Sequence, residues 1–223
     1  MKILIFSDSH LYLPFDNNKF KFIKKIIASC DRVIINGDFF DSYMNKFDEF
    51  VNSPWNQLFP LLKARKTVYI YGNHDQRTSS DSRVALFSDI QAERYKIKTP
   101  NKTFIFEHGD KTRPTPDVMY TNLSFKIKHY GMVCVHFLRN ILVRLFRNIA
   151  INILFKPRNK ISKKIIKINY KPTSNEIYII GHNHFGEVDE KNNFASTGAI
   201  LYGYAQYLTI ENDQISLHEE WYK

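Results

Sequence analysis

Five short apolar runs are spaced along this chain, and each ends abruptly in histidine, aspartate or asparagine. They are KILIF (2–6), RVIIN (32–36), TVYIY (67–71), TFIFE (103–107) and EIYII (176–180). Rich in Ile, Val, Tyr and Phe and apolar almost throughout, they predict strands covered on both faces. Between the first two runs, NNKFKFIKKIIASC sets Phe20, Ile23, Ile26 and Ile27 at helical spacing, and KFDEFVNSPWNQLFPLLKA has the same look before the third. Strand alternating with helix predicts an α/β architecture. The tail from 194, with turns at Gly198, Gly203 and Asn212-Asp213, reads as a second, largely antiparallel sheet. At 223 residues and 43% hydrophobic, the chain can bury one sizeable core, which predicts a single domain over 1–223.

The residues at the end of each run narrow the chemistry. The first run leads to Asp8 and His10, the second to Asp38 and Asp41, and the third to Asn73, His74 and Asp75. The fourth leads to His108 and Asp110, and the fifth to His182 and His184. In α/β proteins, binding groups collect where loops leave the carboxyl ends of strands. Parallel neighbours would therefore bring all five clusters to one edge. Glycines 37, 72, 109, 181 and 186 permit the tight turns such loops need. One such cluster alone is ordinary, since Asp after a strand often caps a helix. Five oxygen- and imidazole-rich clusters, each directly after a buried strand, point to a metal centre.

In this order, DSH, GDFFD, GNHD, HGD and GHNH resemble the signature blocks of the calcineurin-like metallophosphoesterases. The resemblance implies a four-layer αββα sandwich, two β-sheets flanked by helices, with two divalent metal ions at the sheet edge. It implies that Asp8, His10, Asp38 and His184 hold one ion and that Asp38, Asn73, His108 and His182 hold the other. Two cations about 3.5–4 Å apart need an anionic bridge, and a shared Asp38 with a hydroxide supplies one. The bridging water, its pKa lowered by the ions, would attack phosphorus in line. Imidazole, carboxylate and amide ligation suits Mn²⁺, Fe or Zn²⁺ better than Mg²⁺. His74 takes the family role of stabilising the transition state and protonating the leaving oxygen, work that suits an imidazole. Asp75 either orients and charge-stabilises His74 or caps the next helix. Asp41, Asp110 and Glu187 are second-layer partners or caps and are not counted as ligands.

The net charge of +10 is unevenly placed. Residues 111–175 carry 14 Lys and Arg and one acid, Asp117, for +13, leaving −3 for the rest. Residues 114–172 lie between the fourth and fifth blocks and read as an inserted basic, amphipathic helical cap. In 129–155, Arg139/Asn140, Arg144, Arg147/Asn148 and Asn152 form one polar stripe on an otherwise apolar helix. Three readings compete. The helix is a packed cap with solvated charges, a membrane-surface or acyl-lipid-binding cap, or a nucleic-acid groove. The apolar width favours lipid, with Arg139, Arg144 and Arg147 binding substrate phosphate. The block order, helical insertion and length also resemble the UDP-2,3-diacylglucosamine pyrophosphatases, whose helical lid holds acyl chains. That family has Arg where this chain has His74.

Cys30 and Cys134 form no motif and predict free thiols in a reducing cytosol. The first apolar run is too short for a signal peptide. No stretch of 18 residues is both uncharged and apolar throughout, so no spanning helix is expected. The expectation is a cytoplasmic protein, peripheral to the inner face of the membrane. It would be a dinuclear metal-dependent phosphoesterase cleaving a phosphate ester or pyrophosphate, on a lipid-linked or UDP-diacylglucosamine-like substrate. The alternatives are a nuclease or cyclic-nucleotide phosphodiesterase, and a catalytically silent scaffold of the same fold.

Overall fold

The computed structural model describes residues 1–113 and 125–223, so the start of the expected insertion, 114–124, lies outside the described residues. The five runs are strands: β1 (Ile3–Phe6), β2 (Arg32–Asn36), β3 (Val68–Ile70), β6 (Thr103–Glu107) and β7 (Glu176–Ile180). They do not share one sheet. The first sheet runs β10-β11-β1-β2-β3-β4, with β12 on β11, where β4 is Ile90–Ala92, β10 Ile200–Leu201, β11 Tyr204–Glu211 and β12 Gln214–Trp221. The second runs β5-β6-β7-β9-β8, with β5 Arg94–Lys98, β8 Gly186–Asp189 and β9 Phe194–Thr197. Within them β1, β2 and β3 are parallel, as are β6 and β7, so each group points its carboxyl ends one way.

The tail departs from expectation. Instead of a separate sheet, β11 pairs antiparallel with β1 (Ile3 opposite Ile210) and extends the first sheet, with β12 beyond it. Each short run in the tail could pair with any edge, and only the burial of Leu208 and Ile210 beside Ile3 and Ile5 selects the edge of β1.

Side-chain alternation builds the layers. Ile3, Ile5, Ile34, Val68 and Ile70 face Phe104, Phe106, Ile177 and Ile179 in an apolar seam between the sheets. The opposite residues, Leu4, Phe6, Val33, Ile35 and Tyr69, face the helices α1 (Asn17–Ala28), α2 (Phe47–Val51) and α3 (Phe59–Ala64). Each fully buried side chain of this size is worth about 1.5–3 kcal/mol. Asp16 caps α1, accepting from the amides of Asn18 and Lys19. The outer face of the second sheet, through Ile105, Tyr178, Ile180 and Phe194, is covered by Ile166 at the end of the inserted helix. Helix, sheet, sheet and helix are the four layers expected.

The insertion is one long helical element, α4 (Phe125–Ile165), broken at Arg147, whose φ of 43° and ψ of −125° separate two helical segments. Its inner face, His136, Val143, Ala150, Ile151, Phe155, Asn159 and Ser162, is buried on the domain. Its outer face is largely apolar. Leu138, Leu142, Leu145, Phe146, Ile149 and Ile153 are exposed there, Leu145 and Ile153 at 70%. No helix among the described residues is long and apolar enough to cross a membrane.

Candidate metal centre

The loops after β1, β2, β3, β6 and β7 meet at one edge of the paired sheets. Five of the candidate ligands, Asp8, His10, Asp38, His182 and His184, have φ between 40° and 61°, the left-handed region that non-glycine residues seldom occupy. Each costs of order 1–3 kcal/mol unless its surroundings hold it, and such residues gather at functional sites. Two glycines make room for them. Gly37, at φ +88°, lies where a Cβ would come within 2.2 Å of His108 Nδ1. A Cβ on Gly72 would come within 2.2 Å of Asp38 Oδ1.

Two donor sets form. In the first, His184 Nε2 lies 3.0 Å from Asp8 Oδ1, and His10 Nε2 lies 4.0 Å from the same oxygen and 3.6 Å from Asp38 Oδ2. In the second, His108 Nε2 is 3.2 Å from Asp38 Oδ2 and 3.0 Å from Asn73 Oδ1, which is also 2.9 Å from His182 Nδ1. Asp38 stands between them. Asp8, His10 and His184, and separately Asp38, His108 and His182, offer donor atoms close enough together to hold one ion each.

The donor chemistry fits divalent cations. His10 Nε2 and His184 Nδ1 are buried without a hydrogen-bond partner, and Asp8 Oδ1 has the His184 ring at 3.0 Å, a costly arrangement that a cation relieves for the atoms it binds. Burial, ahead of the neighbouring charges, pushes the His182 and His184 imidazoles down to about 3, so both keep free lone pairs at neutral pH. Burial would raise the carboxyl groups, but His184 brings Asp8 down to about 2, and His108, His74 and His10 hold Asp38 well below its usual value. His108 Nδ1 sits 3.0 Å from the Asn36 carbonyl, which sets the ring's orientation.

His74 lies beside both sets. Its amide donates to Asp38 Oδ1 at 2.8 Å, and its ring packs edge-on against His10 at 4.4 Å between centroids. Asp75 does not orient it, contrary to the first of the two roles expected. The Asp75 carboxylate accepts the backbone amides of Asp38, Phe39 and Gly72 (3.0, 2.6 and 2.7 Å) and so fixes the loop that carries Asp38. It caps no helix either. The residue that orients His74 is Asp41, whose Oδ1 lies 3.1 Å from His74 Nδ1 and whose Oδ2 lies 3.2 Å from His10 Nδ1. Of the two roles expected for Asp41, partner behind the ligands or helix cap, the structure shows the first.

The arginines of the insertion divide. Arg139 is half-buried, 5.8 Å from the Phe155 ring and against the Tyr202 hydroxyl. Arg144 and Arg147 instead line an open groove with Asn18, Trp221 and Lys223, Arg147 lying over the Trp221 ring at 5.4 Å. Among the described residues no hydrogen bond or ion pair joins either to the metal centre. The break at Arg147 and the apolar seat of α4 turn both to the flank. Arg158, which the polar stripe did not include, takes the place expected for them. It stacks on Phe155 at 4.7 Å, and Phe155 packs against His184 at 5.4 Å. Burial, then the charges of Arg113 and Arg139, push Arg158 down to about 9. No carboxylate pairs with Arg139 or Arg158 among the described residues.

A model of the calcineurin-like phosphoesterases matches residues 1–194. No match was found among curated proteins. Among solved structures, the chain is similar to Yfce, a phosphoesterase from E. coli (15% identity, all of both chains, TM-score 0.50). It is also similar to a novel archaeal phosphodiesterase (16%, 99% of each chain, 0.50) and to Vps29 of Entamoeba histolytica complexed with Zn²⁺ (12%, all of both chains, 0.48). At these identities the two structures at 0.50 speak for the fold alone, whereas the family model spans most of the chain and all five strands that end in the clusters. On that match, and with the five strand-end clusters gathered at one edge, the chain belongs to the calcineurin-like phosphoesterase family.

Proposed function

We propose that this chain is a dinuclear metal-dependent phosphohydrolase that cleaves a phosphate ester or pyrophosphate bond. The observation that carries the reading is the pair of donor sets with Asp38 between them, the first of which holds buried ring nitrogens of His10 and His184 without a hydrogen-bond partner. Asp8, His10, Asp38 and His184 would hold one divalent ion, and Asp38, Asn73, His108 and His182 the other. Mn²⁺ is the first choice, with Fe or Zn²⁺ compatible with the same donors. When bound, such a pair supplies Lewis-acid polarisation and a water acidic enough to attack phosphorus at neutral pH.

The chain's own groups do the rest. Asp41 accepts the Nδ1 hydrogen bond of His74, which leaves Nε2 to face the reacting group; when the ring is doubly protonated, it is the Nε2 proton that passes to the leaving oxygen. Arg139 and Arg158, without carboxylate partners, meet the negative charge of the phosphoryl oxygens, and a guanidinium fork suits them. Phe155 holds both cations in place from beneath. The substrate is lipid-linked in this reading. The exposed apolar face of α4 lies on a helix that bears ten Lys and Arg and no acid, a charge and shape that suit an anionic bilayer.

A substrate panel with Mn²⁺ tests the proposal: UDP-diacylglucosamine, a lipid monoester, soluble phosphodiesters and single-stranded DNA. Metal-dependent turnover, highest on the lipid-linked pyrophosphate or ester, is expected. Turnover confined to DNA would establish the nuclease alternative, and none on any substrate would establish the silent scaffold.

A further inference from the structure

We infer that His136, on the inserted helix, is a positioning residue that fixes the orientation of His74 through the Asp41 carboxylate. It rests on the hydrolytic reading only for the catalytic role given to His74.

His136 belongs to none of the five strand-end clusters, yet it is 6% exposed and points into the site. Its Nε2 lies 3.4 Å from Asp41 Oδ2 and its Nδ1 lies 3.1 Å from the Tyr202 hydroxyl. Asp41 is completely buried and serves three imidazoles: His10 and His136 at Oδ2, and His74 at Oδ1. The Tyr43 amide also donates to Oδ1, at 3.0 Å.

The protons are set by the acceptors. An ionised carboxylate only accepts, so Nε2 of His136 and Nδ1 of both His74 and His10 carry hydrogen towards Asp41. His136 Nδ1 is then an acceptor, filled by the Tyr202 hydroxyl, and burial raises that phenol to about 12, so it keeps its proton. Arg139 lies against the same hydroxyl. One connected chain therefore runs Arg139, Tyr202, His136, Asp41, His74. It links a cation placed for the substrate to the imidazole placed for the leaving group.

Without His136, Asp41 Oδ2 keeps one imidazole donor, and the carboxylate is freer to turn about its Cβ–Cγ bond. The in-plane acceptor that holds His74 as its Nδ1–H tautomer is then loosened. The helix that carries His136 is seated on a small cluster of its own (Val143, Ala150, Ile151, Phe155 and Tyr204), apart from the two large cores. The position of α4 is thereby read out at His74.

Two variants of the full chain, with Mn²⁺ bound, test this. His136→Phe keeps a ring and removes both hydrogen bonds, and His136→Gln keeps a donor for Asp41. Rates are measured on phosphate esters spanning good aryl to poor alkyl leaving groups. A loosened general acid should lower kcat about fivefold on alkyl esters and under twofold on 4-nitrophenyl esters, with KM and metal content unchanged. His136→Gln should restore most of the loss. A uniform loss across leaving groups, or no loss, would overturn the inference.

A second readout needs no turnover. With diamagnetic Zn²⁺ in place of Mn²⁺, long-range ¹⁵N–¹H spectra should show neutral His74 as a single Nδ1–H tautomer in the wild type and as a mixture in His136→Phe. An unchanged tautomer in a folded variant overturns the inference even if no ester is hydrolysed, which would count against the hydrolytic reading separately. If His136→Phe does not fold, Tyr202→Phe breaks the same chain one link away and should shift the tautomer in the same direction. No shift in Tyr202→Phe would overturn the inference in that case.

Discussion

Lys19 is 5% exposed in the first turn of α1, and its ammonium donates to the carbonyl of Ser9, between Asp8 and His10. Burial lowers its pKa from 10.5 to about 7, against the opposing pull of Asp16. Between pH 7 and 10.5 the unfolded lysine holds more proton than the folded one, so stability rises with pH across that window. From pH 7 to pH 9 the gain is about 2 kcal/mol, from a folded pKa of about 7 and 1.36 kcal/mol per unit. Lys19→Met removes it. The assay is urea unfolding of both proteins at pH 7 and pH 9 in EDTA. Every other titrating group is common to the two and cancels in their difference. That difference should move by about 2 kcal/mol in favour of the wild type on going to pH 9. Parallel pH profiles would show that burial does not lower the Lys19 pKa and refute the reasoning.

His74→Ala should retain its Mn²⁺, measured by elemental analysis, and lose about 10²-fold in kcat on an alkyl phosphodiester. An unaltered rate removes His74 from the mechanism. Gly37→Ala forces a methyl into the space of the His108 ring from a left-handed backbone, at about 1–3 kcal/mol. Calorimetric titration should then show one tight Mn²⁺ in place of two, and two tight equivalents would refute the packing argument. Combined Leu145→Glu, Ile149→Glu and Ile153→Glu should abolish sedimentation with vesicles rich in anionic lipid while leaving turnover of a soluble ester within about twofold. These positions are exposed, and surface substitutions of this kind disturb the fold little. Vesicle binding that survives the three acids would end the membrane reading.

Much of this protein is written in local patterns. Apolar runs of about five residues, bounded by Gly, Asp and His, specify buried strands and sharp loops because side-chain period and turn chemistry act within a few residues. Asp8, His10, Asp38, Asn73, His108, His182 and His184 could thus be singled out, and the structure brings them together. What the pattern could not decide is who stands beside whom. β11 chose the edge of β1, and the five strands divided between two sheets, because pairing is set by burial between segments far apart in sequence. Asp75 turned to backbone amides and Asp41 to three imidazoles, although both come after a strand in the same way. Arg158 and His136 reached the site from the insertion, while Arg144 and Arg147 turned to its flank, since a break at Arg147 and the seating of one helical face fix the direction of the side chains on either side of it. Sequence by itself determined which chemistry gathers at the strand ends. Only the tertiary packing decided which groups orient it, because hydrogen-bond direction at a buried carboxylate depends on neighbours that the chain delivers from thirty to more than ninety residues away.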